Sequence, residues 1–502
     1  MADELRFGEI KTQYKKFVAE SQVTADFAVE DKDGKGIKKI LSVVVEPKVA
    51  SVDALSGEAV VNGRINYKLL YVNEDGEPVG ADYFSDYKDS VFSTDIAPSS
   101  ALSVNTTVVD MTVNESDAVS VSVVLENKVY MVIQEDIPAL TGIPEGYFDE
   151  RRKVITQSYG ESLRSVVEVS DESLTGGVVG RILTYEVAAV INDARVNGGV
   201  ISEEGTLYAN VLYTTADGEY VNKQFTVPFS EEQAVAPGLD LAVFAAASVK
   251  GAKVVLAGSE DNNIIRIEAS VEVSASVIVN TEEEVISDVF SVTRELETQR
   301  EKYAVPRYFT ASTFTETVGD SVALDEESTA VNEVLGYLGA ANNIASMISS
   351  NDRATVEGVF SVTVLYRGAD EEIYSVNVEI PYSIGIKDNK LTGGLTLEGN
   401  GAVAAVNIRR KRDRELDITA ELFFNVRAYG GETITVVSFV TEIGEKEDTL
   451  SAISVYNTSE GETLWDMAKA LSCTPEMIIS QNEELVLPVK TPGRVILYRA
   501  LE

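Results

Sequence analysis

Hydrophobic and polar residues alternate with period two along most of this chain, which is the signature of strands with one buried face. One such stretch occurs three times. Its core is Gly-x6-Leu-Tyr: Gly63 with Leu70 and Tyr71, Gly205 with Leu212 and Tyr213, Gly358 with Leu365 and Tyr366. The inward positions run Ile65, Tyr67, Leu69, Tyr71, then Leu207, Ala209, Val211, Tyr213, then Phe360, Val362, Val364, Tyr366. A polar turn follows each tyrosine, at 72–78, 214–220 and 367–373. Asp75-Gly76 and Asp217-Gly218 suit the positive φ of a tight hairpin, so strand–turn–strand is predicted there. The third copy carries Glu371 in place of that glycine, which predicts a turn of different type.

Other features repeat in step. About 22 residues before each glycine stands an apolar pair: Ile40-Leu41, Ile182-Leu183 and Val334-Leu335. About 55 to 60 residues after it begins a long alternating strand, with inward faces starting at Val119, Ile265 and Leu416. Each copy spans roughly 140 residues, enough for a core of its own. The expected fold is mainly β, with three tandem antiparallel β-sandwich-like repeats at 1–145, 146–298 and 299–448, and a different module at 449–502. Boundaries are expected near stretches rich in charge, Gly or Pro, at 140–155, 297–308 and 443–451. The repeated residues read as packing, because ligand contacts sit on loops. Tethered copies of one module suit a multivalent scaffold.

From about residue 452 the texture changes. After a short strand ending near Tyr456, Gly461 permits a turn, and Thr463 and Asp466 have capping-box spacing. Leu464, Met467, Ala468 and Leu471 recur at helical intervals. A second helix is predicted with Thr474 as cap, Pro475 at its first position and Asn482 at its end. Past Pro492-Gly493, the run Val495-Ile496-Leu497-Tyr498 closes a β-α-α-β order.

Composition narrows the chemistry. The 42 Lys and Arg against 81 Asp and Glu give a net charge of −39, which repels nucleic acid and anionic lipid. Histidine is absent from all 502 residues, which excludes a Ser–His–Asp triad, a Cys–His pair and His-ligated metal. The one cysteine, Cys473, cannot form an intrachain disulfide, which fits a reducing compartment. The N-terminus shows no basic-then-apolar leader and no run reaches the roughly 18 apolar residues of a membrane span, so a soluble cytoplasmic protein is expected. No carboxylate pair stands out for acid–base catalysis and no phosphate-cradling loop is present. The segment Glu30–Gly36 lacks the closing Glu of a calcium loop and reads as a polar turn. No catalytic residue, metal ligand or cofactor is therefore expected, and no enzyme activity. The basic run Arg409, Arg410, Lys411, Arg412 reads as a charged strand edge, with self-association onto another acidic copy as the alternative.

The tail resembles the LysM domain in Gly461-Glu462-Thr463-Leu464-Trp465, Ala468, Asn482 and Gly493, with Glu462 where the family usually has Asp. The resemblance implies a shallow groove for N-acetylglucosamine polymers or a protein partner, formed by Gly461, Glu462, Thr463 and Leu464 together with Ser480, Asn482 and Glu483. Leu464 and Trp465 read as core, because so small a module needs its large side chains inside. Repeats and tail together resemble the SPOCS-domain spore-coat morphogenetic proteins with a C-terminal LysM domain. That resemblance implies a non-enzymatic coat scaffold in the mother-cell cytoplasm, at the forespore surface. Its LysM domain would contact the coat-basement ATPase, and its SPOCS domains would organise other coat proteins. A cell-wall glycan binder and a self-assembling structural protein are the two other readings.

Overall fold

The computed structural model describes residues 4–115, 119–175, 177–257, 263–446 and 452–499. The protein is mainly β. The first repeat forms β1 (Arg6–Ala28), β2 (Ile37–Leu55), β3 (Glu58–Asn73), β4 (Pro78–Phe92), β5 (Leu102–Asn114) and β6 (Ser120–Gly142). The second forms β7 (Tyr147–Leu174), β8 (Val179–Asn197), β9 (Val200–Thr215), β10 (Tyr220–Ala234), β11 (Asp240–Ala257) and β12 (Ile264–Ser291). The third forms β13 (Arg294–Ala323), β14 (Val331–Ser349), β15 (Ala354–Gly368), β16 (Ile373–Ile386), β17 (Thr396–Arg412) and β18 (Glu415–Glu445). Each set builds two three-stranded antiparallel sheets in one strand order: β2-β3-β4 with β1-β6-β5, β8-β9-β10 with β7-β12-β11, and β14-β15-β16 with β13-β18-β17.

The alternating faces read from the sequence meet between the paired sheets. Ile65, Tyr67, Leu69 and Tyr71 pack with Val121, Val123 and Leu125 in the first repeat. The equivalent faces of β9 and β12, and of β15 and β18, form the second and third cores. The motif glycines make room for a cross-strand ring. Gly63 lies opposite Tyr87, Gly205 opposite Phe229 and Gly358 opposite Tyr382. A Cβ at Gly63 or Gly205 would lie 2.3 Å from the facing ring, and one at Gly358 2.4 Å from the Tyr382 hydroxyl.

The third hairpin departs from expectation. Glu371 adopts φ 69°, beside 82° at Gly76 and 84° at Gly218, and its N–H donates to Gly368 O at 3.0 Å as the glycines' do to Asn73 O and Thr215 O. The turn is thus of one type in all three copies, and Glu371 holds a left-handed conformation that costs an L-residue about 1–2 kcal/mol.

The joints between repeats are short and run on from the strands. The break between β6 and β7, residues 143–146, falls inside the stretch 140–155, whose remainder continues the two strands with Val154 buried, and 297–308 lies within β13, with Val305 and Tyr308 buried. The break between β12 and β13 is only residues 292–293. The stretch 443–451 begins in β18, and its end lies outside the described residues.

Shared cores hold the repeats together. Ile10, Ile137, Ala139, Val154, Val285, Val305, Ile434 and Val436, from all three repeats, form one cluster. At the opposite end the three motif leucines, Leu70, Leu212 and Leu365, meet Leu41, Leu183 and Leu335 in another. The apolar pairs are explained by a bulge at the same place in each repeat. Ile40 pairs with Tyr71 and Ser42 with Leu70, leaving Leu41 as the extra residue, and Leu183 and Leu335 are skipped likewise. The first member of each pair therefore serves its own repeat and the bulged leucine serves the shared cluster. The ring closes through Gly80, whose Cβ would overlap Leu183 O, through Gly336 against Leu212, and through Lys39 over the Tyr374 ring at 4.4 Å. Gln157 links further repeats, accepting from Tyr308 N–H at 2.9 Å and donating to Tyr308 O at 2.8 Å. Among the described residues no helix is long and apolar enough to cross a membrane.

Candidate functional site

The C-terminal module runs β19 (Ile453–Asn457), α1 (Leu464–Leu471), α2 (Pro475–Gln481) and β20 (Arg494–Tyr498), with β19 antiparallel to β20. Its local order follows from the caps. Thr463 Oγ1 accepts the Asp466 N–H at 3.2 Å, and the Asp466 carboxylate accepts the Thr463 N–H at 3.0 Å, closing a capping box on α1. Thr474 caps α2, with Pro475 at the first position. Met467, Ala468, Cys473, Ile478, Val489, Val495 and Leu497 form a small core. Burial pushes the Cys473 thiol up, so it acts as an apolar filler.

That core continues into the body of the protein. Phe290 of β12 stacks on Phe148 at 5.4 Å and meets Trp465 edge-on at 4.9 Å. Beside it the Asp288 carboxylate, 6% exposed, accepts from Trp465 Nε1 at 3.0 Å and from Lys469 Nζ at 2.9 and 2.7 Å. Burial pushes the Asp288 carboxyl up, but the hydrogen bonds from Lys469 and Trp465 outweigh it and hold the group below the usual aspartate range. Trp465 is thus the seat of the module on the second repeat as well as part of the module's own packing. Asp288 and Phe290 had one legible signal. Alternation fails from Val285 to Ser291, where every residue is buried, as a surface covered on both faces requires.

The groove residues divide by what their polar atoms do. Glu462 accepts the Ser459 N–H at 2.8 Å and the Tyr456 hydroxyl, and its carbonyl accepts the Val489 N–H at 3.1 Å. Gly461, at φ 82°, donates to Val489 O at 2.8 Å. Thr463 is spent in the cap, and Leu464 packs on the core. Ser480 donates to Met477 O at 3.1 Å. Asn482 donates to Ile478 O and Ile496 O at 3.0 and 2.9 Å and accepts the Ile496 N–H at 2.9 Å, tying α2 to β20. A cavity of about 660 Å3 opens beside them, lined by Asn482, Glu483, Glu484, Val486, Lys490 and Arg494 among others. Asn482 and Glu483 reach it; Gly461–Leu464 and Ser480 do not.

The basic run lies at the end of β17 and is met by acids of its own hairpin. Arg410 pairs with Asp413 at 2.6 Å, Lys411 with Glu415 at 3.1 Å and Arg412 with Glu415 at 3.5 Å, while Arg409 stands opposite Asp417. The 30–36 segment is a turn closed on itself, Asp31 accepting from Gly36 N–H at 2.6 Å and from Asp33 N–H at 3.1 Å. Among the described residues no group of three or more His, Cys, Asp or Glu is arranged to hold a metal. Compared with known protein families, with curated proteins and with solved structures, the chain finds no match in any of the three.

Proposed function

We propose that this chain is a non-enzymatic assembly scaffold of the spore-coat kind: three SPOCS-like β-sandwich repeats fused into one body that displays a LysM-type module. The module docks on the coat-basement ATPase in the mother-cell cytoplasm, and the body organises further coat proteins around it. The observation that carries the reading is the state of the groove. Glu462, Thr463, Ser480 and Asn482 already spend their polar side chains inside the module, so few are left to hydrogen-bond a sugar. What remains outward is Glu483, Glu484, Lys490 and Arg494 with Val486 at 63% exposure and Leu487 at 37%, a charged rim with apolar anchors that suits a protein surface. The seat on Asp288 and Phe290 supports it too, since a fixed module presents its partner in one orientation and saves ordering entropy.

The test uses the full chain against two targets: the purified coat-basement ATPase of the parent organism, and insoluble peptidoglycan. Saturable binding to the ATPase, weakened by Val486→Glu, with no retention on peptidoglycan is the expected result. Retention on peptidoglycan with no ATPase binding overturns the proposal in favour of a cell-wall role.

A further inference from the structure

Just beneath the leucine cluster the three repeats enclose a cavity of about 430 Å3. Its walls come from β2 and β5 of the first repeat, β8, β9 and β10 of the second, and β14, β15 and β17 of the third. Val44, Val108, Met111, Ala188 and Val403 supply apolar surface, with Val108 and Met111 more than a third exposed at its mouth. The amides on the wall are engaged: Asn210 donates to Tyr337 O at 3.1 Å and accepts from Asn222, and Gln224 donates to Val406 O at 2.8 Å.

The two carboxylates differ in their partners. Glu46 and Glu186 both face this space; Lys68 sits 3.6 Å from Glu46 and donates to Tyr185 O at 2.7 Å, Lys48 also stands near Glu46 and donates to Val249 O at 2.8 Å, and among the described residues Glu186 has no ion-pair partner within 4 Å. Glu186 accepts the Gly339 N–H of the third repeat at 2.6 Å, a donor freed from the ladder by the bulge between Leu338 and Ala341. Glu186 is thus held by a backbone N–H with no ammonium in contact, in a partly buried site where an unpaired charge is costly. An apolar cavity of this size with convergent polar groups is the usual form of a small-molecule site. We propose that the cavity at the junction of the three repeats binds a small amphipathic amine, its apolar body against Val44, Met111 and Ala188 and its ammonium on the Glu186 carboxylate.

The competitor for that charge is the proton. Burial pushes the Glu186 carboxyl up to about 7, offset in part by the Gly339 N–H and Lys68 and reinforced by Glu46; Tyr337 stands close by as a further titratable group. A raised pKa means that the ionised form gains population as pH rises through about 7, so amine binding strengthens on going from pH 6 to pH 8.

The experiment titrates the full chain with n-hexylamine and, in parallel, with the isosteric neutral 1-hexanol, at pH 6 and pH 8, by calorimetry. The expected result is saturable amine binding at pH 8, about tenfold or more tighter than the alcohol and weaker at pH 6. Glu186→Gln removes the preference for the amine, and Ala188→Phe, which fills the cavity, removes binding of both. Circular dichroism and the melting profile show whether each variant remains folded, and Met111→Trp supplies a second filled cavity should Ala188→Phe unfold. Equal affinity for amine and alcohol at pH 8, or amine binding that survives in folded Glu186→Gln, overturns the proposal.

Discussion

Replacing Asp288 with asparagine unlatches the C-terminal module and leaves the β body standing. The carboxylate is 6% exposed and accepts one hydrogen bond from Trp465 and two from Lys469. A hydrogen bond to a charged group contributes about 1.5–3 kcal/mol, and breaking a buried pair costs about 3–5 kcal/mol. Two features reduce that. Lys469 is 39% exposed and regains water, and an asparagine still offers Trp465 one acceptor oxygen. The expected loss is about 2 kcal/mol, roughly thirty-fold in the ratio of seated to released module. The assay is built into the sequence, because Trp465 is the sole tryptophan. In a urea titration the Trp465 emission midpoint of Asp288→Asn falls by about 1 M, taking slopes of about 1–3 kcal/mol/M, while the β transition seen by circular dichroism stays in place. Acid gives an independent reading. The folded pKa of Asp288 lies below its ordinary value of 3.8, so its contribution is whole above 3.8 and is lost as pH falls through the lower folded value. The wild-type emission should therefore shift in that acid window and the asparagine variant should lack that component. Identical urea midpoints and identical acid profiles for the two proteins would refute the latch.

Leu183→Ala, at a side chain 4% exposed in the shared leucine cluster, should cost about 3 kcal/mol. Hydrogen exchange should then rise in β3 and β15 as well as in β8, and a rise confined to the second repeat would contradict the shared core. Glu371→Gly relieves a left-handed residue and should raise stability by about 0.5–1 kcal/mol in a calorimetric melt; a lowered melting temperature would show that the turn carries no strain. Gly63→Ala drives a methyl into the Tyr87 ring and should cost about 1–3 kcal/mol. Adding Tyr87→Ala should recover part of that loss, whereas strictly additive effects would place the clash elsewhere.

The cores of the individual repeats were legible because period-two alternation maps directly onto a half-buried strand, and Ile65 to Tyr71 lie where that pattern puts them. The helices of the tail were legible from Thr463, Asp466, Thr474 and Pro475, since capping is a local matter. What escaped was every contact between repeats. Leu70 and Tyr71 are adjacent letters that serve different cores, and nothing in their spacing says that one faces another repeat. The stretches 140–155 and 297–308 read as boundaries because charge and proline interrupt alternation, yet β7 and β13 run through them while paired with β12 and β18 along their length. The third turn departs from expectation because the Glu371 N–H donates to Gly368 O and the Gly368 N–H donates to Glu372 O, and these bonds hold Glu371 where its side chain alone would not choose to be. The site was half legible. Asn482 and Glu483 reach the cavity, but the pairing of Asp288 with Trp465, some 180 positions away in sequence, leaves no mark beyond the failed alternation at Val285–Ser291.

The most direct test of the central claim is hydrogen exchange on the full chain, alone and bound to the coat-basement ATPase. New protection is expected in residues 481–494, around Asn482, Glu483 and Val486, with the amides of the leucine cluster unchanged. Protection confined to the three-repeat body, or none at all at saturating ATPase, would contradict the assignment of the module as the docking element.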